Sequence, residues 1–407
     1  MVQSKQNMQI ELVDSPSGIR DFLEAPRYLY RADKVWVCPL DMEVEAKFDR
    51  QKNPYLQDGE AIRWVLRDDE NRLAGRIAAF YHRQKSFTGE VPAGGTGFFE
   101  CIDNQEAANL LFGTARRWLE SKGLQAMDGP VAPGENESFW GLLVEGFTHP
   151  GYGMNYNFPY YRKLFEQYGF RTYYEQYSYH LDVTKPFPER FWKIADWVAG
   201  KPGFSFRHFD FGERERFIAD MVKVYNEAWA GFKNDFTPME ADSLRKTLES
   251  AKAILDEELI WFAYHHDEPI AFFVMFPDVN QAIKPFHGKL NPWNAMRFMV
   301  YKYSGRINRA RALVAGVVPR FQNSGIESAI FSQYNKVIPP RKKYKEIELS
   351  WVGDFNPKMI AMYEAVGAEK AKTHITYRFL FDRQRPFRRY MPEKVEAQFK
   401  TRKGNMF

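Results

Sequence analysis

The feature that most constrains this chain is an order of elements written twice. In the first pass "MQIELVD" from Met8 is strand-like and "GIRDFLEAPRYLYR" from Gly18 is helical. "IRWVLRDDENRLAGRIAAFY" from Ile62 alternates apolar and polar residues about an Asp/Asn turn, which signals a hairpin. "GFFECIDN" from Gly97 adds a strand, and "EAANLLFGTARRWLESKG" from Glu106 a helix with a glycine stop. "YYRKLFEQYGF" from Tyr160 is another helix, and "RTYYEQYSYHLDV" from Arg171 a last strand. After residues 183–206, rich in Pro, Lys and aromatics, the series returns. It runs through "FRHFDF", "ERFIADMVKVYNEAWAGF", the hairpin "LIWFAYHHDEPIAFFVMF" and the strand "RALVAGVV". A helix from about Gln322, the strand "EIELSWV", the helix "PKMIAMYEAVGA" and the strand "THITYRFLF" complete it. The pattern predicts an α/β repeat of about 180 residues, with domains at 1–182 and 207–382, a linker at 183–206 and a tail at 383–407.

At 407 residues the chain exceeds one ordinary core, and 44% apolar with 16% aromatic residues is enough to fill two. The cysteines, Cys38 and Cys101, form no CxxC pair, which points to a reduced, cytoplasmic protein. The apolar runs are strand-sized, so no membrane span is expected. Charge is uneven. The tail from Arg383 carries +6 and the acid-free segment Gln281–Arg311 carries +7; taken from the net +5, these leave the rest at −8. An anionic partner would meet those two places, unless they are merely solvated faces. No nucleic acid is expected. The eight histidines show no metal-ligand spacing, and neither a GxSxG elbow nor a Walker loop occurs. "GGTG" at Gly94–Gly97 reads as a loop before a strand.

The stretch "VVPRFQNSGIESAIF" from Val317 carries the sharpest signal. A strand that ends in a tight turn and opens a helix points backbone N–H groups outward, where they and the helix dipole favour phosphate oxygens. Gly325 leaves room for a close approach, and Gln322 adds a side-chain donor. Downstream, Asn356 precedes Tyr363 by two helical turns and Gly367 ends that helix. Together these residues resemble the GNAT superfamily of acyl-CoA N-acyltransferases. The resemblance implies a tandem repeat of two GNAT-like domains, each a mixed, mostly antiparallel sheet flanked by helices. It further implies that Val317, Val318, Gln322, Asn323, Ser324, Gly325, Ile326 and Asn356 hold acetyl-CoA or a longer acyl-CoA. Glu327 departs from the family's small residue and sets an acid near the phosphates. The equivalent turn of the first half, "ECIDNQEAAN", has Glu100, Asp103 and Glu106 and no glycine, so that half is expected to bind no CoA.

Amide formation from a thioester needs a neutral amine, its alignment, and a proton for the leaving thiolate. Tyr363 is the candidate acid, against the alternative of a packed aromatic. Glu346 and Glu348 alternate with Ile347 and Leu349, so one strand face carries both candidate bases. Asn226, Trp229 and Phe236, after the first helix of the second half, are acceptor-side candidates. Within the insert 281–311, Trp293, Met296, Val300 and Tyr303 form an apolar stripe on a basic helix. Such a helix suits a lipid-like acyl chain or an anionic membrane surface, with a peripheral place at the inner membrane face; the alternative is packing on the other domain. "KLNPWNAMRF" before "VAGVVPRFQNSGIES" is similar to the bacterial ceramide-synthase type of long-chain N-acyltransferase, and Trp293 joins the substrate candidates. The expected activity is acyl transfer from CoA to an amine. A catalytically silent module of the same fold and a Fem-like aminoacyl transferase stand beside it.

Overall fold

The computed structural model describes residues 8–134, 138–230, 238–322, 324–341 and 343–392. In chain order the first elements are β1 (Gln9–Leu12), α1 (Pro16–Leu29), α2 (Asp41–Ala46), β2 (Gly59–Arg67), β3 (Leu73–His82) and β4 (Ala93–Cys101). They are followed by α3 (Gln105–Ser121), β5 (Ala126–Gly129), β6 (Leu142–Glu145), α4 (Tyr161–Tyr168) and β7 (Arg171–Asp182). The series resumes with α5 (Glu189–Ala199), β8 (Phe204–His208), α6 (Arg214–Trp229), α7 (Ala241–Ala251), β9 (Ile260–His265) and β10 (Glu268–Pro277). It ends with α8 (Asn280–Ile283), α9 (Pro292–Tyr303), β11 (Arg309–Val317), α10 (Ile326–Arg341), β12 (Glu346–Gly353), α11 (Pro357–Ala365) and β13 (Glu369–Leu380).

Local chemistry sets many of these limits. Ser15 caps α1 by accepting from the Gly18 amide at 3.1 Å, with Pro16 in the first turn. Asn104 caps α3 through the Ala107 amide at 3.0 Å, and Gly169, at φ 109°, closes α4. The β9–β10 hairpin turns on His266 and Asp267, both at positive φ, the geometry that matches strand twist. Three elements depart from the sequence expectation. The stretch 183–206 is no bare linker, because α5 forms inside it. The helix expected from Gln322 starts at Ile326, leaving Gln322 in the turn. "GGTG" lies within β4, where the missing side chains let Leu119 and the Phe80 ring close in on Gly94 and Gly95 and the Val131 backbone on Gly97.

The chain forms two compact units that are not contiguous halves. The first comprises Met1–Gln176, Ile283–Phe298 and Lys372–Tyr390; the second comprises Tyr177–Ala282, Met299–Ala371 and Met391–Phe407. The first unit's sheet runs β1-β2-β3-β4-β5 and is closed by β13, with β6 also pairing β13. Its core packs Phe99, Phe112, Phe165 and Phe170 against each other, with ring centroids 4.5–5.1 Å apart. Arg378 of β13 grips Asp128 of β5 with two bonds of 2.6 Å, which pins the last strand of the chain into this sheet.

The second unit's sheet runs β8-β9-β10-β11-β12 and is closed by β7. Its pairs are antiparallel from β8 to β11 and parallel between β11 and β12. Tyr334 of α10 is fully buried and donates to the carbonyls of Leu259 and Phe273 at 3.0 and 2.9 Å, which seats that helix on one face. Phe217 of α6 packs on Phe262 and so marks the other face. No helix among the described residues is long and apolar enough to cross a membrane.

Candidate active site

The site is built by two strands parting. β11 and β12 pair from Arg309↔Glu346 to Ala312↔Leu349, and among the described residues their pairing goes no further. β11 continues along β10 to Val317, with Leu313 inserted as an extra residue between the Val314 and Ala312 pairs. Such a bulge bends its strand and re-aims the groups beyond it. Although β11 lies inside the sheet, Leu313 is 37% exposed, and Val314 and Ala315 are half-buried. Beyond Ala312 the edge of β11 facing β12 therefore has no strand partner among the described residues.

The first unit has the same parting without the gap. β4 and β5 pair only from Ala93↔Ala126 to Gly95↔Asp128, and β4 bulges at Phe98, whose φ is 50°. There the chain after β5 folds back. The Val131 amide donates to the Thr96 carbonyl at 2.9 Å, and a Cβ on Gly97 would stand 1.7 Å from the Val131 carbonyl oxygen. Every β4 residue after Ala93 is buried.

Beside the open gap, one face of the second sheet carries charge. Arg309 lies at its centre: Nη1 is 3.4 Å from Glu348 and 3.6 Å from Asp278, and Nε is 3.4 Å from Glu346. Ser178 of β7 donates to Glu348 at 3.0 Å, and His180 lies 3.3 Å from Glu346. Arg311 is buried and donates from Nε to Ser350 at 2.7 Å. Arg309, Arg311, Glu346, Glu348 and Ser350 are two apart on their strands, so they share one face, while Ala310, Ala312, Ile347 and Leu349 enter the core on the other. The two candidate carboxylates differ in access. The Glu348 side chain is 3% exposed and that of Glu346 is 36% exposed.

The turn after β11 is tight. The Val318 amide donates to Ile270 at 2.9 Å, Gln322 Nε2 to the Val317 carbonyl at 3.2 Å, and Ser324 Oγ to the Phe321 carbonyl at 2.6 Å. Gly325 sits at φ 82°, ahead of the buried Ile326. A Cβ there would meet Val198 Cγ2 at 3.1 Å and Ile194 Cγ2 at 3.6 Å, so α5 lies against the turn. Burial raises the carboxyl of Glu327 above its ordinary range, while its own amide and the charge of Lys358 pull it down. Asn323 lies outside the described residues.

Tyr363 is buried in α11 with its ring 5.4 Å from that of Tyr179, and burial raises its phenol well above the ordinary value. Tyr179 points opposite to Ser178 and His180, so Tyr363 and the two glutamates approach the sheet from opposite faces. Asn356 caps α11, accepting from the Met359 amide at 3.3 Å. Asn226 clamps the chain after α6, bonding the Met239 amide and carbonyl at 2.8 and 3.2 Å. Trp229 packs near Tyr225, and Phe236 lies outside the described residues. Trp293 is 64% exposed on α9. Sequence reasoning missed Arg309, Arg311, Asp278, Ser178 and His180. The signal was present: "RARA" from Arg309 has the same charge alternation as "EIEL" from Glu346.

The fold defined by these observations is the tandem GNAT-like α/β fold. Each unit carries a mixed, mostly antiparallel sheet, helices on its faces and a parted pair of parallel strands. No family model matches the chain. It is similar to a bacterial ceramide synthase of Caulobacter vibrioides, 27% identical over 371 residues, which cover 90% of this chain and 95% of that protein. A tandem GNAT protein from the clavulanic acid biosynthesis pathway matches 94% of this chain and all of its own, at a TM-score of 0.53 and 10% identity. The GCN5-related glucosamine N-acetyltransferase region of a fungal multi-domain β-N-acetylglucosaminidase matches 93% of this chain at a TM-score of 0.56 and 11% identity, over 38% of that longer chain.

Proposed function

We propose that the second unit binds an acyl-CoA between β11 and β12 and transfers its acyl group to an amine. The observation that carries this reading is the exposed middle of an interior strand, Leu313–Ala315, beside backbone groups that lack a strand partner. A pantetheine arm is extended and carries two amides, so it fits such an edge as a short β-strand would. The diphosphate would meet the first turn of α10, with Lys358 as a nearby cation, and Gln322 and Ser324 would turn outward to it.

In the transfer, the amine nitrogen attacks the thioester carbonyl carbon; the C–N bond forms as the C–S bond breaks. Glu348 or Glu346 takes the proton lost by nitrogen, and Tyr363 gives one to the thiolate. A substrate lying in a gap in the sheet is reached from both faces, which reconciles the opposite positions of acid and base. Arg309 fixes the carboxylates, so less reorganisation is needed as charge develops.

A ceramide is the amide of a long-chain amine, so the similarity to a ceramide synthase favours a long-chain donor and a lipid-like acceptor. The test is a thermal-shift series with CoA, acetyl-CoA and longer acyl-CoAs, followed by thiol release on adding long-chain amines. A melting temperature unmoved by every CoA derivative would overturn the reading. The contact of α5 with Gly325 favours a second reading, a binding module without turnover; that reading expects a thermal shift and no thiol release with any amine.

A further inference from the structure

We infer that α9 is a docking surface for the anionic face of a lipid bilayer. Among the described residues fifteen large hydrophobic side chains are exposed, and six of them fall between Leu290 and Tyr303. Within α9, Trp293, Met296, Met299, Val300 and Tyr303 are 64%, 52%, 41%, 60% and 76% exposed. At about 100° per residue these five span an arc of roughly 120°. Asn294 and Phe298, which are buried, point the other way. The helix thus anchors on one side and presents a continuous apolar strip on the other, which is rare on a protein that meets only water.

The charge around the strip decides the occupant. No acid occurs from Gln281 to Arg311. Of its seven cations, Arg309 and Arg311 are turned into the charged face of the sheet, and Lys284 is bonded to the Lys34 carbonyl at 2.5 Å. Lys302 is likewise bonded to the Ala253 carbonyl at 2.6 Å, while Arg297 flanks the strip and Lys289 and Arg306 stand exposed at its ends. A second copy of this helix would set cations against cations. An anionic headgroup layer meets these three, while the strip, with a tryptophan and a tyrosine at its ends, enters the boundary with the acyl chains. In the other basic segment the cations among the described residues are engaged within the chain. Arg385, Arg388 and Arg389 already pair with Gln125, Glu90 and Glu175.

This inference stands apart from acyl transfer and is tested without it. The full chain is sedimented with vesicles of phosphatidylcholine alone or containing a third phosphatidylglycerol, at low and at raised salt. Binding is expected to the anionic vesicles and to fall with salt. A basic residue near such a surface is worth about fivefold in partitioning, so Lys289→Gln with Arg306→Gln should weaken binding about 25-fold. Met299→Ser with Val300→Ser and Tyr303→Ser should remove it while leaving the melting temperature and any acyl-CoA shift unchanged. The inference is overturned if the wild type ignores anionic vesicles at low salt, or if the serine variant binds as well as the wild type. It is equally overturned if that variant instead converts a dimer to a monomer, which would make a second copy the occupant.

Discussion

Replacing Gly325 tests the turn most directly. Its φ of 82° lies in the left-handed region, and Val198 Cγ2 stands 3.1 Å from the place of a Cβ. An L-residue costs about 1–2 kcal/mol in that conformation, so Gly325→Ala should destabilise the second unit by about that amount. The buried Val198 methyl must also yield by a few tenths of an ångström, which adds a crowding cost of its own. For a unit of this size the loss corresponds to a fall of roughly 2–8 °C in melting temperature. Gly325→Asn should recover part of it, since asparagine tolerates this backbone better. A double-mutant cycle with Val198→Ala separates backbone strain from crowding. If strain dominates, the coupling stays within about 0.5 kcal/mol. The assay is differential scanning fluorimetry with and without an acyl-CoA. An alanine variant that melts with the wild type, or full recovery in the double variant, would refute the assignment of the cost to φ. Gly325→Glu is the poorer probe of CoA binding, because its carboxylate would be pressed against Ile194 and Val198 before any ligand arrives.

The remaining predictions concern the charged face, the phenol and the turn's acid. Glu348→Gln keeps an acceptor for Ser178 and leaves Arg309 with Asp278 and Glu346, so it should cost only about 1–2 kcal/mol in a melt while turnover drops at least a hundredfold if Glu348 is the base. Glu346→Gln, at the more open position, should cost less stability, and comparing the two pH–rate profiles assigns the base. The Tyr363 hydroxyl has no hydrogen-bond partner among the described residues, so Tyr363→Phe should leave stability nearly unchanged and slow acyl transfer tenfold to a thousandfold; unchanged turnover removes it from the mechanism. Glu327 has a raised folded-state pKa, so the folded chain holds that proton more tightly than the unfolded chain. Its contribution therefore falls as pH rises from the ordinary carboxyl range near 4.5 through the raised value, and Glu327→Gln should flatten that slope. If the diphosphate binds nearby, the same substitution should also strengthen CoA binding at neutral pH, read by titration calorimetry.

Much of the fold was legible because periodicity is local. The hairpin at Asp68–Asn71 and the strand "RALVAGVV" announce themselves within a dozen residues. What escaped was set by distance along the chain. The pairing of β13 with β5 joins residues about 250 apart, and its anchor, Arg378 on Asp128, has no local signature. The charged face escaped for a related reason. Glu346 and Glu348 can be read as solvent-facing until Arg309 of a neighbouring strand is placed against them. α5 was hidden because Pro186, Pro188 and two lysines colour its flanks, although Phe191, Ala195 and Val198 keep helical spacing and are buried.

The two units then show how one architecture yields one open gap. Both part their parallel strands after a few pairs and both bulge the strand on the near side, so the parting itself belongs to the fold. What differs is the segment that follows. After β5 the chain turns at once through Pro130, and the Val131 amide satisfies the Thr96 carbonyl, which stops the parted edge of β4 from needing any ligand. That closure depends on Gly97, since any side chain there would meet the Val131 carbonyl. In the second unit Leu313 and Val314 occupy the corresponding stretch of β11, and the strand keeps its exposed edge. The exposed edge of β11 is open to water or to the amides of a ligand, whereas the β4 edge is buried and covered by the chain after β5. That difference in exposure between the two parted strands, more than the acidic turn of the first half, supports the proposal that the acyl donor binds the second unit.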